Sequence, residues 1–207
     1  MEPKRIVVLG GSFNPPTIAH RILLESAMDR LHAEEGIYVP SSDAYVQRKI
    51  EKHPDVPAKK LSEETRLRML ENMCTDRTHV NCCEYGDTSR GRTLKTLECI
   101  QKQWPGYEVW FVLGADKMPV FCRWPDRKEI LSRFYILWTG RNGYYMDRFI
   151  ADSQLLLAWK THQNILQEPA GTYNISSSLF WRKFSAGNEE CWDILDDRIR
   201  DKQKHFA

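Results

Sequence analysis

The stretch IVVLGGSFNPPTIAH, residues 6–20, passes from an aliphatic run through two glycines, a Ser-Phe pair and two prolines to Thr17 and His20. Residues 6–9 form a short β-branched run, which is typical of a strand buried on both faces of a parallel sheet. From residue 20 to 31, apolar side chains recur at helical spacing. The stretch therefore predicts a strand, a loop built to hold a ligand, and an amphipathic helix.

The rest of the chain continues this alternation of strand and helix patterns. Strands are predicted over residues 36–40, 79–85, 108–116, 133–140 and 163–168, and helices over residues 62–73, 93–103, 146–160, 177–185 and 189–204. Residues 41–60 are polar and are predicted as a long loop, a candidate substrate loop. Such alternation predicts a doubly wound, Rossmann-like α/β fold, with a parallel sheet and helices on both faces. We expect one domain over residues 1–207 that ends in a helical segment from about residue 173.

Composition restricts the classes of partner and compartment. The 207 residues include 30 Lys and Arg and 28 Asp and Glu, so the net charge of +2 argues against a protein that binds nucleic acid through a broad basic surface. The six cysteines form no C-x-x-C pair and are expected to be reduced thiols. The N-terminal apolar run is too short for a signal peptide or a membrane span. We expect a cytoplasmic protein without a membrane partner.

The loop after the first strand has the chemistry of an anion site. In an open parallel sheet, ligands bind beyond the carboxyl ends of the strands, and a helix N-terminus offers unpaired N–H groups to a phosphate. The loop lacks the Gly-Lys-Ser/Thr of a P-loop and the three spaced glycines of a dinucleotide fingerprint. Thr17 and His20 are three residues apart on the first helical turn and could both donate to phosphate oxygens. The alternative is that Thr17 only caps the helix and His20 is structural.

Several segments together resemble one family. GSFNPPTIAH resembles the G-x-F-x-P-x-(H/T)-x-x-H motif of the nucleotidyltransferase superfamily. FVLGAD (111–116), RW (123–124) and YNISSSLFWRKF (173–184) resemble, in order, the G-x-D strand end, the tryptophan and the I-S-S-T-x-x-R signature of the nicotinate/nicotinamide mononucleotide adenylyltransferase family. RTLKTLE (92–98), VPSSDAY followed by Arg48 and Lys49, and TGRNG (139–143) are weaker matches to the same family.

The resemblance implies an enzyme of NAD biosynthesis that joins ATP to nicotinate or nicotinamide mononucleotide and releases pyrophosphate, with Mg²⁺ held mainly by the substrate phosphates. It leaves open whether the protein is a homo-oligomer. It implies catalytic roles for Thr17, His20 and Arg182. It implies ATP contacts for Gly10, Gly11, Ser12, Phe13, Gly114, Asp116, Ile175, Ser176, Ser177 and Ser178. It implies mononucleotide contacts for Arg48, Lys49, Thr93, Trp124 and Arg141.

One departure from the family pattern leaves alternatives open. Trp181 stands where the signature has its arginine, and Arg182 follows it. One residue turns a helical side chain by about 100°. The chain could instead be another small nucleotidyltransferase, of the phosphopantetheine or cytidylyl type, or a catalytically weak nucleotide-binding or regulatory relative. Taken singly, Asp116 and the three serines could be helix caps, and Trp124 a core residue.

Overall fold

The computed structural model describes residues 3–87, 92–140, 163–166 and 175–203. The strands are β1 Arg5–Gly11, β2 Glu35–Pro40, β3 Thr78–Val80, β4 Glu108–Gly114, β5 Tyr135–Thr139 and β6 Gln163–Leu166. The α-helices are α1 Ile18–Leu31, α2 Asp43–Glu51, α3 Glu63–Met73, α4 Thr93–Gln103, α5 Met118–Phe121, α6 Arg127–Arg133, α7 Ser177–Ser185 and α8 Asp197–Gln203. Short 3₁₀ helices cover Tyr85–Asp87, Ala115–Lys117 and Glu189–Ile194.

The strands form one sheet in the order β3-β2-β1-β4-β5-β6, and every adjacent pair is parallel. The predicted doubly wound α/β fold is confirmed. The chain order of the strands reverses between β1 and β4, which lie side by side. At such a point the connections leave in opposite directions and open a crevice beyond the carboxyl ends of the strands. The loop after β1 therefore begins at the position where this fold binds ligands.

Both faces of the sheet are covered. Along β1, Ile6 and Val8 belong to one buried cluster, and Val7 and Leu9 belong to another. The first cluster is completed by side chains of α4, α5 and α6, and the second by side chains of α1, α3, α7 and α8. Because successive strand residues point to opposite faces, a continuous apolar run such as 6–9 fills both clusters at once.

The prediction of a loop over residues 41–60 was wrong for its first half, which contains α2. The Ser42 hydroxyl accepts a hydrogen bond from the Tyr45 N–H at 3.4 Å and so begins the helix. Val46 is the buried side chain of α2. The other side chains of α2 are exposed or half-buried, so the polar composition of the segment favoured a loop, which explains the error.

Other sequence boundaries also differ from the structure. The strand predicted over residues 79–85 ends at Val80, where the Cys83 N–H turns back to the Asn81 side chain at 3.0 Å. The helix predicted over residues 189–204 is divided at Leu195, whose backbone is extended. The helices α5 and α6 were not predicted.

Two predictions are not tested by the structure. The helix predicted over residues 146–160 lies outside the described residues, and a single domain over 1–207 stays a prediction. Within the described part of the chain, no helix has the length and apolarity needed to cross a membrane.

Candidate functional site

The loop after β1 is packed around an aromatic ring. Phe13 is 1% exposed with φ +44°, and its ring lies 4.9 Å from that of His20 and 5.8 Å from that of Tyr38. A Cβ on Gly11 would lie 3.3 Å from the Phe13 ring, and one on Gly10 would lie 3.3 Å from the Phe111 ring. In this structure the two glycines therefore make room for aromatic side chains, a role that the sequence analysis missed.

Thr17 and His20 form a reciprocal cap at the start of α1. The backbone N–H of Thr17 donates to His20 Nδ1 at 2.9 Å, and the Thr17 hydroxyl lies 2.8 Å from the same nitrogen. Because a backbone N–H can only donate, Nδ1 accepts, and a neutral imidazole then carries its proton on Nε2. Thr17 is thus the N-cap residue of α1, and a phosphate-binding role for Thr17 and His20 stays a prediction. The same cap fixes the His20 tautomer that can donate through Nε2.

A buried arginine, which the sequence analysis missed, joins the ends of β1 and β2. The Arg66 side chain is 0% exposed, and its guanidinium donates to the carbonyls of Ser12 at 2.9 Å and Ser41 at 2.7 Å. It also donates to the Asp43 carboxylate at 3.0 Å. The signal was present in the sequence, because Arg66 occupies the first position of the apolar pattern that Met69 continues on α3.

The N-terminus of α7 is fastened to the same loop. The Trp181 indole N–H donates to the Asn14 carbonyl at 2.8 Å, and the Ser177 hydroxyl donates to the Pro15 carbonyl at 2.8 Å. The Asn14 side chain binds the backbone at Lys59 and Leu61, at 2.9 and 2.8 Å. The N-terminus of α7 therefore lies beside the loop that leads into α1.

A first pocket opens between this loop, α2 and α7. Its polar lining includes Ser12, Lys49, Ser177 and Ser178, whereas most of its exposed lining surface is apolar and includes Trp181. Lys49 Nζ donates to Ser12 Oγ at 3.1 Å. The structure therefore brings Lys49, predicted to bind the mononucleotide, together with serines predicted to bind ATP. The lining offers hydroxyl and ammonium donors, which suit an anion.

The three serines of the I-S-S-S segment have different positions. Ser176 Oγ accepts from the Leu179 N–H at 3.1 Å and is the N-cap of α7, as the capping alternative predicted. Ser177 bonds to Pro15, and Ser178 is exposed in the first pocket. Ile175 is half-buried against the second core cluster. Ser178 therefore has the most accessible hydroxyl of the three.

Arg182 is not among the described residues that line the first pocket, whereas its neighbour Trp181 is. Its Nη2 donates to Asp55 at 2.8 Å, and more than half of each side chain is exposed. Trp181 is 5% exposed and takes the inward position on α7. A catalytic role for Arg182 stays a prediction.

A second pocket, of about 120 Å³, brings together two residues predicted to bind the mononucleotide. Thr93 and Trp124 line it with Arg92, Pro125, Asp126 and Ile130. The Trp124 ring is half-buried and packs 5.2 Å from the Phe121 ring. Arg48 lies elsewhere, exposed in the last turn of α2. Arg141 lies outside the described residues.

A buried carboxylate oxygen follows the end of β4. Gly114 is the last residue of β4, and Asp116 follows in a 3₁₀ turn. Asp116 Oδ2 is 2.9 Å from Lys117 Nζ, whereas Oδ1 is buried without a hydrogen-bond partner among the described residues. A buried acceptor without a partner is uncommon in proteins, so Oδ1 is suited to a ligand hydroxyl or N–H.

Near the second pocket, the Thr96 hydroxyl on α4 donates to Glu84 Oε1 at 2.7 Å, and burial raises the pKa of Glu84.

Within the described ranges, no three His, Cys, Asp or Glu side chains are grouped to hold a metal ion. The donors of the first pocket match phosphate oxygens rather than a cation.

The fold and these two pockets first define a class: a doubly wound α/β protein with hydroxyl and ammonium donors beyond β1, at the point where the strand order reverses. More particularly, the chain belongs to the Cytidylyltransferase-like family, which it matches over residues 8–183. This confirms the nucleotidyltransferase resemblance drawn from the motifs.

Known relatives carry one activity in their names. The "Probable nicotinate-nucleotide adenylyltransferase" of Rhodopirellula baltica is 31% identical over 67% of this chain and 62% of its own length, so the chain spans less than two thirds of that relative. A Bordetella pertussis protein of the same name is 27% identical over 90% of this chain and 89% of its own. The solved Plasmodium falciparum nicotinic acid mononucleotide adenylyltransferase complexed with APC has a TM-score of 0.71 at 18% identity, covering 98% of this chain and 96% of that chain, and shows the same fold.

Proposed function

We propose that this protein is an adenylyltransferase that joins ATP and nicotinate or nicotinamide mononucleotide to give the dinucleotide and pyrophosphate. One observation carries the proposal: the N-termini of α1 and α7 meet at the end of β1, fastened by the Ser177–Pro15 hydrogen bond, with Lys49 beside them. Two helix N-termini and an ammonium group suit a polyphosphate. The names of the relatives support the pyridine mononucleotide as second substrate.

The reaction needs no protein base. A phosphate oxygen of the mononucleotide attacks the α-phosphorus of ATP, a new P–O bond forms, and the bond from that phosphorus to the oxygen bridging to the β-phosphate breaks. Pyrophosphate leaves with the electron pair of that bond. Because the nucleophile is already anionic, no proton must be removed, and catalysis comes from alignment and from neutralising charge on the transferring phosphoryl group.

The residues around the first pocket supply donors for that charge. We assign His20 Nε2 as a donor to the α- or β-phosphate, with Thr17 as the residue that orients its ring. Backbone N–H groups of Gly11, Ser12 and Phe13, beside Gly10, would meet the phosphates. The remaining ATP contacts that we propose are Ile175, Ser176, Ser177, Ser178 and Arg182 for the triphosphate, and Gly114 and Asp116 for the adenosine side.

The second pocket suits the pyridine ring. Trp124 offers a flat aromatic face, and Thr93 offers a hydroxyl to the ring substituent. Arg48, Lys49 or Arg141 would pair with the phosphate of the mononucleotide. The position of Lys49 beside Ser12 favours a place for that phosphate next to the ATP phosphates, as transfer between them requires.

Magnesium enters as part of the substrate. Among the described residues, the lining of the first pocket includes no Asp or Glu carboxylate, the side-chain group that usually holds Mg²⁺ in proteins. We therefore propose that phosphate oxygens and water hold Mg²⁺ with ATP, and that the protein binds the outer oxygens of the complex.

The test is a coupled pyrophosphate assay with ATP, Mg²⁺ and a panel of nicotinate mononucleotide, nicotinamide mononucleotide, phosphopantetheine and glycerol phosphate. We expect release only with the pyridine mononucleotides. His20→Ala should lower kcat by roughly 10²- to 10³-fold, the usual effect of losing one transition-state donor. His79→Ala is the matched control, because His79 is exposed and bonds to Glu35. Release with phosphopantetheine alone, or a folded His20→Ala protein of full activity, would overturn the proposal.

A further inference from the structure

The second pocket contains an ion pair of defined geometry. Arg92 Nε donates to Asp126 Oδ2 at 2.9 Å, and Nη2 donates to Oδ1. Both residues line the pocket with Thr93 and Trp124. Arg92 and Asp126 are the charged members of that lining. Any group that enters beside the indole of Trp124 therefore meets this pair.

Each residue of this ion pair stands at the start of a helix. Arg92 stands at the N-cap of α4, where its carbonyl accepts from Lys95 N–H at 3.0 Å. Asp126 stands at the N-cap of α6, yet its carboxylate makes no capping hydrogen bond and binds Arg92 instead. The Asp126 side chain is 17% exposed and that of Arg92 is 48% exposed. The less accessible Asp126 carboxylate thus fixes the position of the more accessible Arg92 guanidinium.

The remaining hydrogen-bonding capacity lies on the cation. Both oxygens of Asp126 already accept from Arg92. Nη1 of Arg92 has no hydrogen bond to any residue in the described part of the chain, and a guanidinium presents a second edge through Nη1 and Nη2. A carboxylate on that edge would gain a charge-assisted, bidentate interaction. A neutral amide has no negative charge and only one acceptor oxygen, so it would gain neither the charge-assisted attraction nor the second hydrogen bond.

We propose that Arg92, aimed by Asp126, binds the ring carboxylate of nicotinate mononucleotide and makes the protein select the acid over the amide. This inference rests on the proposed function and names its second substrate. The pyridine ring lies against Trp124, and its 3-carboxylate meets the open edge of Arg92. Asp126 is a positioning residue, because it acts through Arg92.

The experiment measures kcat/KM for nicotinate mononucleotide and for nicotinamide mononucleotide at saturating ATP and Mg²⁺. We expect the wild-type protein to favour the acid. Arg92→Gln should lower kcat/KM for the acid by roughly 10- to 100-fold, the range for losing a hydrogen bond to a charged group. The loss should fall on KM, because the interaction is present before and during transfer. The kcat/KM for the amide should fall by less than about 10-fold, because the amide can lose only a hydrogen bond to a neutral acceptor, and Arg92→Lys should restore part of the acid's value.

Arg123→Gln is the matched control, since Arg123 is exposed beside Trp124 and donates to the Pro119 carbonyl at 3.2 Å. It should leave the ratio of acid to amide unchanged. A wild-type preference for the amide, or an unchanged ratio in Arg92→Gln, would overturn the role of Arg92 while pyrophosphate release still supported the proposed function. If the wild-type protein released pyrophosphate with neither mononucleotide, the proposed function itself would fail.

Discussion

The substitution Arg66→Met should destabilise the framework of the first pocket. It removes a fully buried guanidinium and its hydrogen bonds to the carbonyls of Ser12 and Ser41. Each buried acceptor left without a partner costs about 1–3 kcal/mol. Arg66→Met also removes the ion pair with Asp43. The Asp43 carboxylate is one-third exposed and still pairs with Lys60 at 3.3 Å, so losing the bond to Arg66 adds little to the cost.

An opposing contribution limits the total. Burying a guanidinium is itself costly, and Arg66 Nε has no hydrogen-bond partner among the described residues. Methionine removes that cost, so we expect a net loss of about 2–5 kcal/mol, a large part of the roughly 5–15 kcal/mol typical of native proteins.

Urea unfolding followed by circular dichroism measures this loss. With a slope of about 2 kcal/mol per M, the midpoint should fall by roughly 1–2.5 M. The control is Arg68→Met on the same helix, where an exposed arginine pairs with Glu64 and contributes less than about 1 kcal/mol. Equal midpoints for the two variants would refute the assignment of Arg66 as the tie between β1 and β2.

Two further predictions concern single side chains. The ion pair of Arg182 with Asp55 is exposed, so Arg182→Ala and Asp55→Ala should each change the free energy of unfolding by less than about 1 kcal/mol. Only Arg182→Ala should lower turnover. Identical kcat values in the two variants would argue against a role for Arg182 in catalysis. Burial raises the pKa of the Cys83 thiol from 9.0 to about 12, so the folded protein binds this proton more tightly than the unfolded chain. The resulting stability is complete below about pH 9 and is lost as pH rises towards 12. Iodoacetamide at pH 8 should therefore label Cys83 far more slowly in the folded than in the urea-unfolded protein, as measured by mass spectrometry, and equal rates would contradict the assignment.

Part of the site was predictable because its signals are local. The Thr17–His20 spacing places both side chains on one helical turn, and that geometry depends only on the residues between them. The opposite case is α2, whose buried surface is mostly that of Val46. Its existence depends on a capping serine and on neighbours that pack against it from elsewhere in the chain.

The sequence by itself determined the sheet, the helix that follows the first strand, and the position of the ligand loop, because strand and helix periodicities are properties of neighbouring residues. Only the tertiary structure decided which distant side chains bind the backbone of that loop. The bonds from Arg66 to Ser12 and from Trp181 to Asn14 join residues that are 54 and 167 positions apart. No local pattern contains such pairs, since they arise when the packing of distant helices brings a donor to a buried carbonyl that must be satisfied. In the same way, the packing of α7 against the loop buries Trp181 and leaves Arg182 in an exposed ion pair with Asp55.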